Sequence, residues 1–332
     1  MEKAIKLTAA SAAHFLVDFA CAFAMFRLFF GGERWGMLLL LYNFCAFALQ
    51  MPIGLLADRW NRNFLLAAIG CGVVACGYLP LPEIAAVTLL GSGNAAFHVG
   101  GGLEILTQSP DRAGQLGVFV SPGAIGLYVG TVLGKDALLS TAAPVILMLA
   151  AGASLLLTQR TVQTSFRSDN APPALPRVKS VLVPLACLFA VVIWRSMVGM
   201  GLSLDWKTGG WGFAAVLALA LGKAAGGYLA DAWGFQKTAN VSLAAAAVLF
   251  FFAEYPVCGL AAIFLFNMTM PLTLYAAARK LPGAKGFAFG LLTFALFLGF
   301  LPAYYGVGEM TQVAAAALAL LSAVALWGAV RT

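Results

Sequence analysis

The chain has 332 residues, 62% of them hydrophobic and only 10% charged, with mean hydropathy +0.92 and a formal net charge of +7. A soluble domain is about 45–50% apolar and about 25% charged, so a soluble fold, a disordered chain, a nucleic-acid module and a disulfide-scaffolded secreted domain are excluded. A membrane barrel is excluded too, because the apolar runs are continuous and about twice the length of a barrel strand.

A helix crossing the bilayer needs about 20 mostly apolar residues. Divided at its charged, proline and glycine-rich breaks, the sequence predicts twelve spans, near 5–29, 35–57, 63–80, 83–106, 114–134, 138–159, 180–202, 209–230, 237–254, 257–278, 285–304 and 308–330. The expected class is an all-α membrane protein with minimal loops. At Pro80-Leu81-Pro82 helices 3 and 4 read either as two spans or as one long broken element. The first helix carries His14 and Asp18 in its middle and lacks a small-residue cleavage site, so it is expected to stay as a span. The longest polar stretch, Arg160 to Lys179 with Pro172, Pro173 and Pro176, predicts a cytoplasmic linker over 161–179 between bundles 1–160 and 180–332. The six cysteines (Cys21, Cys45, Cys71, Cys76, Cys187, Cys258) fall in or beside spans without metal-type spacing, as packing thiols do.

Charge placement gives the orientation. With both termini cytoplasmic, the outer loops carry only Arg34, Lys135 and Lys207. The termini and inner loops carry Lys3, Lys6, Arg59, Arg62, Arg112, Arg160, Arg167, Arg177, Lys179, Lys237, Arg279, Lys280, Lys285 and Arg331. This bias fits the positive-inside rule, and the net charge reflects topology rather than a nucleic-acid partner. The two halves also align with each other. Asp58 and Asp231 lie 173 positions apart, and the same offset pairs Trp60 with Trp233, Asn94 with Asn267, Arg112 with Lys285 and Gly117 with Gly290. Two six-helix pseudo-repeats describe the parallel-repeat transporters, whose site is expected at the midplane.

The loop Gly54-x-Leu56-Ala57-Asp58-Arg59-x-x-Arg62 resembles motif A of the major facilitator superfamily, and Gly227-x-Leu229-Ala230-Asp231 through Lys237 resembles its second copy. Asn61 stands where the motif usually has glycine; Gly234 keeps it. The resemblance implies the major facilitator fold and a cytoplasmic gate of Gly54, Asp58, Arg59, Arg62, Gly227, Asp231 and Lys237. It further implies that the motif's aspartate meets the start of helix 11, where the helix dipole favours an anion. Ala13-His14 with Asp18, Gly91-x-Gly93-Asn94 with Phe97-His98, and Gly114-Gln115 with Ser121-Pro122-Gly123 resemble the fosmidomycin-resistance branch, which implies export of drugs or organic anions. Val99-Gly100 replace that branch's Pro-Glu, and Val87 replaces the arginine of general drug antiporters.

Ionisable groups inside spans are costly and usually face a cavity or a partner. His14 and Asp18 share one face of helix 1, and Asn94 and His98 share one face of helix 4. These histidines are the chain's only two. The arrangement reads either as a proton carrier or as a hydrogen bond that tightens helix packing. Arg195, in mid helix 7, either binds a carboxylate, phosphonate or phosphate or neutralises a group such as Asp18. Lys223, aligned with Gln50, either joins the pathway or snorkels to the cytoplasm. Glu104 either pairs with Arg112 or a motif A arginine or is a solvated helix end, and Asn267 joins the pathway as the repeat of Asn94. Gly126, Gly130 and Gly134 form a small-residue ladder expected to pack closely; Gly100-Gly101-Gly102 either unwinds helix 4 or packs.

The function expected is secondary active transport by alternating access: proton-coupled efflux of a small organic anion or drug, by a monomer in the lipid bilayer of the inner membrane, with no cofactor and no resident metal. Arg195 would hold the anion, and Asp18 with His14 the proton. Uptake of a metabolite and transport of a transition metal by His14, Asp18, His98 and Cys21 remain alternatives of the same fold. A membrane-embedded enzyme or a non-transporting sensor is the reading from another class. No acidic metal–diphosphate cluster or nucleophile–base pairing points to an enzyme.

Overall fold

The computed structural model describes residues 1–136, 139–161 and 178–331. Among these residues the secondary structure is helical, without strands. The helices, in order, are α1 (Glu2–Phe29), α2 (Trp35–Trp60), α3 (Asn63–Cys76), α4 (Glu83–Gln108), α5 (Gly114–Asp136) and α6 (Ala142–Thr161). They continue as α7 (Val178–Gly201), α8 (Gly209–Trp233), α9 (Phe235–Phe250), α10 (Pro256–Lys280), α11 (Lys285–Tyr304) and α12 (Gln312–Arg331). Nine of the described helices are long and apolar enough to cross a membrane. Of the other three, α3 has 14 residues and α9 has 16. Helix α4 has 26, but Asn94, His98, Glu104 and five glycines dilute its apolar character.

Several expected boundaries shift, each for a local reason. Helix α3 stops at Cys76, and the turn through Pro80 and Pro82 separates it from α4, so these are two elements. Helix α9 ends at Phe250 rather than near 254, in a run of turns before Pro256. The start of α12 moves from 308 to Gln312, because Gly306 and Gly308 adopt positive φ. The interhelical linker expected over 161–179 lies, for residues 162–177, outside the described residues. Helix α4 runs unbroken through Gly100-Gly101-Gly102, so these glycines do not unwind it. A Cβ on Gly100 would enter the backbone of Asn63 and Ala67, and one on Gly102 the ring of Phe289, so they serve close packing.

The chain forms two compact units. The first joins α1–α4, α5 from Pro122 onward, α6 and the opening of α11 (Gly283–Gly290). The second joins Ser109–Ser121, α7–α10, the rest of α11 from Leu291, and α12. In the first unit the glycine ladder does what its spacing predicts. A Cβ on Gly126 would meet the carbonyl oxygen of Phe15, one on Gly130 that of Phe19, and one on Gly134 that of Phe23. Two four-residue repeats therefore interlock, and α5 lies directly on the backbone of α1. The second unit has a similar contact, where Gly222 and Gly226 of α8 meet the carbonyls of Phe264 and Met268.

The internal repeat reappears as geometry. Asp58, at the end of α2, accepts backbone N–H groups from Gly286 (2.7 Å) and Phe287 (2.9 Å) in the first turn of α11. In the second unit Asp231 accepts those of Ala113 (2.7 Å) and Gly114 (2.9 Å) at the start of α5. Every one of these residues obeys the 173-residue offset. Beside each cap a glycine, Gly290 or Gly117, packs on the carbonyl of Gln50 or Lys223. Each carboxylate thus satisfies two orphan N–H groups at the positive end of a dipole. Asn61 ends α2 at φ 49°, ψ 40°, and its counterpart Gly234 has φ 89°. Asparagine is among the few side-chain-bearing residues that visit this region readily, so the departure from glycine keeps the turn. Asp58→Asn is expected to lower stability by about 1–2 kcal/mol, because one acceptor and the charge are lost. Asp231 is more exposed, and Asp231→Asn should cost about half as much because water screens it. Thermal unfolding of the two variants checks the order; equal or reversed losses would contradict it.

Candidate functional site

The first unit gathers four of the expected residues into one polar cluster. His14 and Asp18 lie on successive turns of α1, with His14 Nε2 3.3 Å from Asp18 Oδ2. Asn94 and His98 of α4 face them. The Asn94 amide donates to Asp18 Oδ1 at 2.9 Å, and the two histidine Nε2 atoms are 2.9 Å apart. His98 Nε2 is 3.7 Å from Asp18 Oδ1. His14 is buried, while Asp18 and His98 keep 17% and 14% of their side chains accessible. Gly123 of α5 makes the space, since a Cβ there would overlap Asp18 Oδ2 and His14 Nε2.

The hydrogen bonds fix the protons. His98 Nδ1 lies 2.9 Å from the carbonyl oxygen of Asn94, which can only accept, so Nδ1 carries a hydrogen. A neutral His98 then presents an Nε2 lone pair, and the Nε2–H of His14 fills the 2.9 Å gap. Two imidazoles and a carboxylate in mutual contact are groups that can take up and pass on a proton.

The other expected residues fall elsewhere. Arg195 of α7 belongs to the second unit and is 7% exposed. Its Nη1 donates to Thr273 Oγ1 of α10 at 3.4 Å. Among the described residues of that unit no carboxylate lies within ion-pair distance of it. The adjacent Ser196 donates to the Leu296 carbonyl at 2.7 Å, and Gly299 lets α11 approach this stretch of α7. The Lys223 ammonium donates to the Val120 carbonyl at 3.2 Å, where α5 is interrupted before Pro122. Asn267 donates to Ile263 of its own helix at 2.9 Å.

Glu104 pairs neither with Arg112 nor with a motif A arginine. Its partner is Lys6, at 2.8 Å, and Asn63 and Gln108 donate to the same carboxylate at 3.2 Å. The bond joins α1, α3 and α4 within the first unit. Arg59 and Arg62 are exposed, and Lys237 is exposed with its ammonium 5.9 Å from the Trp233 ring. Sequence reasoning missed Thr273, Gly123 and the Lys6 partnership. Only the Ser-Pro-Gly turn gave a sign of Gly123; a lone threonine and a terminal lysine have no local signal.

No protein-family model matches the chain, and no curated protein matches it in sequence. Solved structures do. A major facilitator superfamily transporter, FucP, in the outward conformation superposes with a TM-score of 0.67 at 13% identity, over 100% of this chain and 99% of that one. A variant of the Escherichia coli fucose:proton symporter FucP gives 0.65 at 13% identity, over the same shares. This chain has the major facilitator fold, and its apolar helices mark it as an integral membrane protein.

Proposed function

We propose that the chain is a secondary active transporter that works by alternating access and exports a small organic anion or anionic drug in exchange for protons. The observation that carries the reading is the cluster of His14, Asp18 and His98, whose ring nitrogens and carboxylate oxygens lie 2.9–3.7 Å from one another inside the first unit. Arg195 supplies the solute's binding charge: a buried guanidinium with one long hydrogen bond to Thr273 keeps donors available for a carboxylate, phosphonate or phosphate. Proton symport by a protein of the same fold supports the choice of coupling ion. The sequence resemblance of the His14, Asn94 and Ser121 segments to the fosmidomycin-resistance branch supports export. Asp58 and Asp231 act as the cytoplasmic gate, and the bias of Lys and Arg towards one set of loops supports cytoplasmic termini. Solute is moved without bond chemistry.

Proteoliposomes with an imposed pH gradient test the reading, using a panel of carboxylates, phosphonates and amphiphilic drugs. The wild-type chain is expected to move at least one of them against its gradient, with counterflow of protons. Asp18→Asn is expected to leave gradient-free exchange of that solute in place and to abolish its accumulation, because the cluster can no longer neutralise an added proton. Accumulation that survives Asp18→Asn would remove the cluster from coupling.

A further inference from the structure

We infer that His14, Asp18 and His98 form a binding site for a divalent transition-metal ion of the zinc class, which takes the place of the proton shared between the two imidazoles. The inference deepens the proposed function and rests on it only for the cluster's role as the coupling site. Four features of the cluster carry it.

The first is the spacing of the donor atoms. An ion that holds nitrogen and oxygen ligands at about 2.0–2.1 Å separates them by about 2.9 Å at right angles and about 3.4 Å in a tetrahedron. The two imidazole Nε2 atoms are 2.9 Å apart and His14 Nε2 is 3.3 Å from Asp18 Oδ2, both within that range before any ion is bound, while His98 Nε2 is 3.7 Å from the carboxylate's other oxygen, Oδ1. The second is the tautomer of His98. Its Nδ1–H is committed to the Asn94 carbonyl, which leaves Nε2 as the ligand atom and fixes the plane of the ring.

The third is the orientation of the carboxylate. The Asn94 amide holds Oδ1 at 2.9 Å and leaves Oδ2 beside His14, so one residue steadies two ligands by two different groups. The fourth is access: Asp18 and His98 keep 17% and 14% of their side chains accessible, so an ion can reach the ligand atoms. Two imidazoles and one carboxylate favour zinc, cobalt, nickel or copper over magnesium or calcium, which prefer sites made of oxygen.

The sequence supplies a direct probe, because these are its only two histidines. The untagged full chain in detergent is treated with diethyl pyrocarbonate, and imidazole acylation is followed with and without zinc. Zinc is expected to slow acylation by about tenfold or more, and magnesium or calcium at the same concentration to leave it unchanged. Asp18→Asn is expected to raise the zinc concentration needed for protection by about ten- to a hundredfold. Cobalt should give a visible ligand-field band without a thiolate charge-transfer band.

Acylation insensitive to excess zinc, equal protection by magnesium, or a thiolate band that assigns the ion to a cysteine such as Cys21 would each overturn the inference. Proton-driven flux measured on the same preparation separates the two proposals. Zinc protection without flux upholds the metal site and overturns the transport reading, and flux without protection does the reverse.

Discussion

Replacing Arg195 with methionine is expected to abolish binding of the anionic solute and, at the same time, to make the chain more stable. Arg195 is 7% exposed, donates one 3.4 Å hydrogen bond to Thr273, and has no carboxylate within ion-pair distance in its unit among the described residues. A charge held in that way is not retained for stability. Exchanging buried ionic groups for apolar ones of similar volume often stabilises by about 1–4 kcal/mol, and methionine adapts to irregular space. Binding moves in the opposite sense. A guanidinium that grips an oxyanion by two charge-assisted hydrogen bonds supplies about 3 kcal/mol or more, roughly a hundredfold or greater in affinity. Solute-induced thermal stabilisation checks both at once: the apo melting temperature should rise, and the increment on adding solute should vanish. A lower apo melting temperature would show that Arg195 is a structural strut, and a retained increment would show that the anion binds elsewhere.

The second large effect is structural. Gly130→Ala is expected to prevent stable folding, with a loss of about 4 kcal/mol or more, because the added methyl would overlap the carbonyl oxygen of Phe19. Backbone cannot swing aside as the end of a side chain can, so relief requires α5 to move off α1 along the whole ladder. Gly126→Ala should behave alike, against Phe15. Gly72 of α3 provides the contrast. A Cβ there meets nothing within 4 Å, and Gly72→Ala should be neutral or stabilise by about 0.5–1 kcal/mol through helix propensity. Yield and monodispersity after membrane extraction, followed by melting of whatever folds, distinguish the three. A well-folded Gly130→Ala protein would disprove the close contact. If Gly72→Ala were as damaging as the ladder variants, alanine intolerance would be general and would not report on α1.

Much of this was legible in one dimension because it depends on local composition. Apolar run length gave the order of the helices, and the 173-residue offset gave two copies of one plan; Asp58 and Asp231 then hold matching N–H pairs at matching distances. The four-residue spacing of Gly126, Gly130 and Gly134 was enough to expect a close helix neighbour. What failed was pairing between charges remote in sequence. Glu104 was expected either to meet Arg112, eight residues on, or a motif A arginine, or to be a solvated helix end; it meets Lys6, 98 residues away, because α1 and α4 lie side by side in the first unit. For Lys223 the sequence left open the pathway or the cytoplasm, and gave no sign of the Val120 carbonyl that the interruption in α5 offers its ammonium.

Composition and periodicity thus determined that the chain is a helical membrane protein with an internal repeat and only a few intramembrane charges, because each of these properties is a sum over neighbouring residues. They also placed His14 with Asp18 and Asn94 with His98, since four residues make one helical turn. Only the tertiary structure decided that the two pairs form one site. The 2.9 Å contact between His98 and His14 spans 84 positions of sequence. It depends on the rotation and separation of α1 and α4, which the backbone hydrogen bonds within either helix leave free. On the α5 side, Gly123 carries no side chain where one would strike Asp18 and His14, so the cluster has room to form.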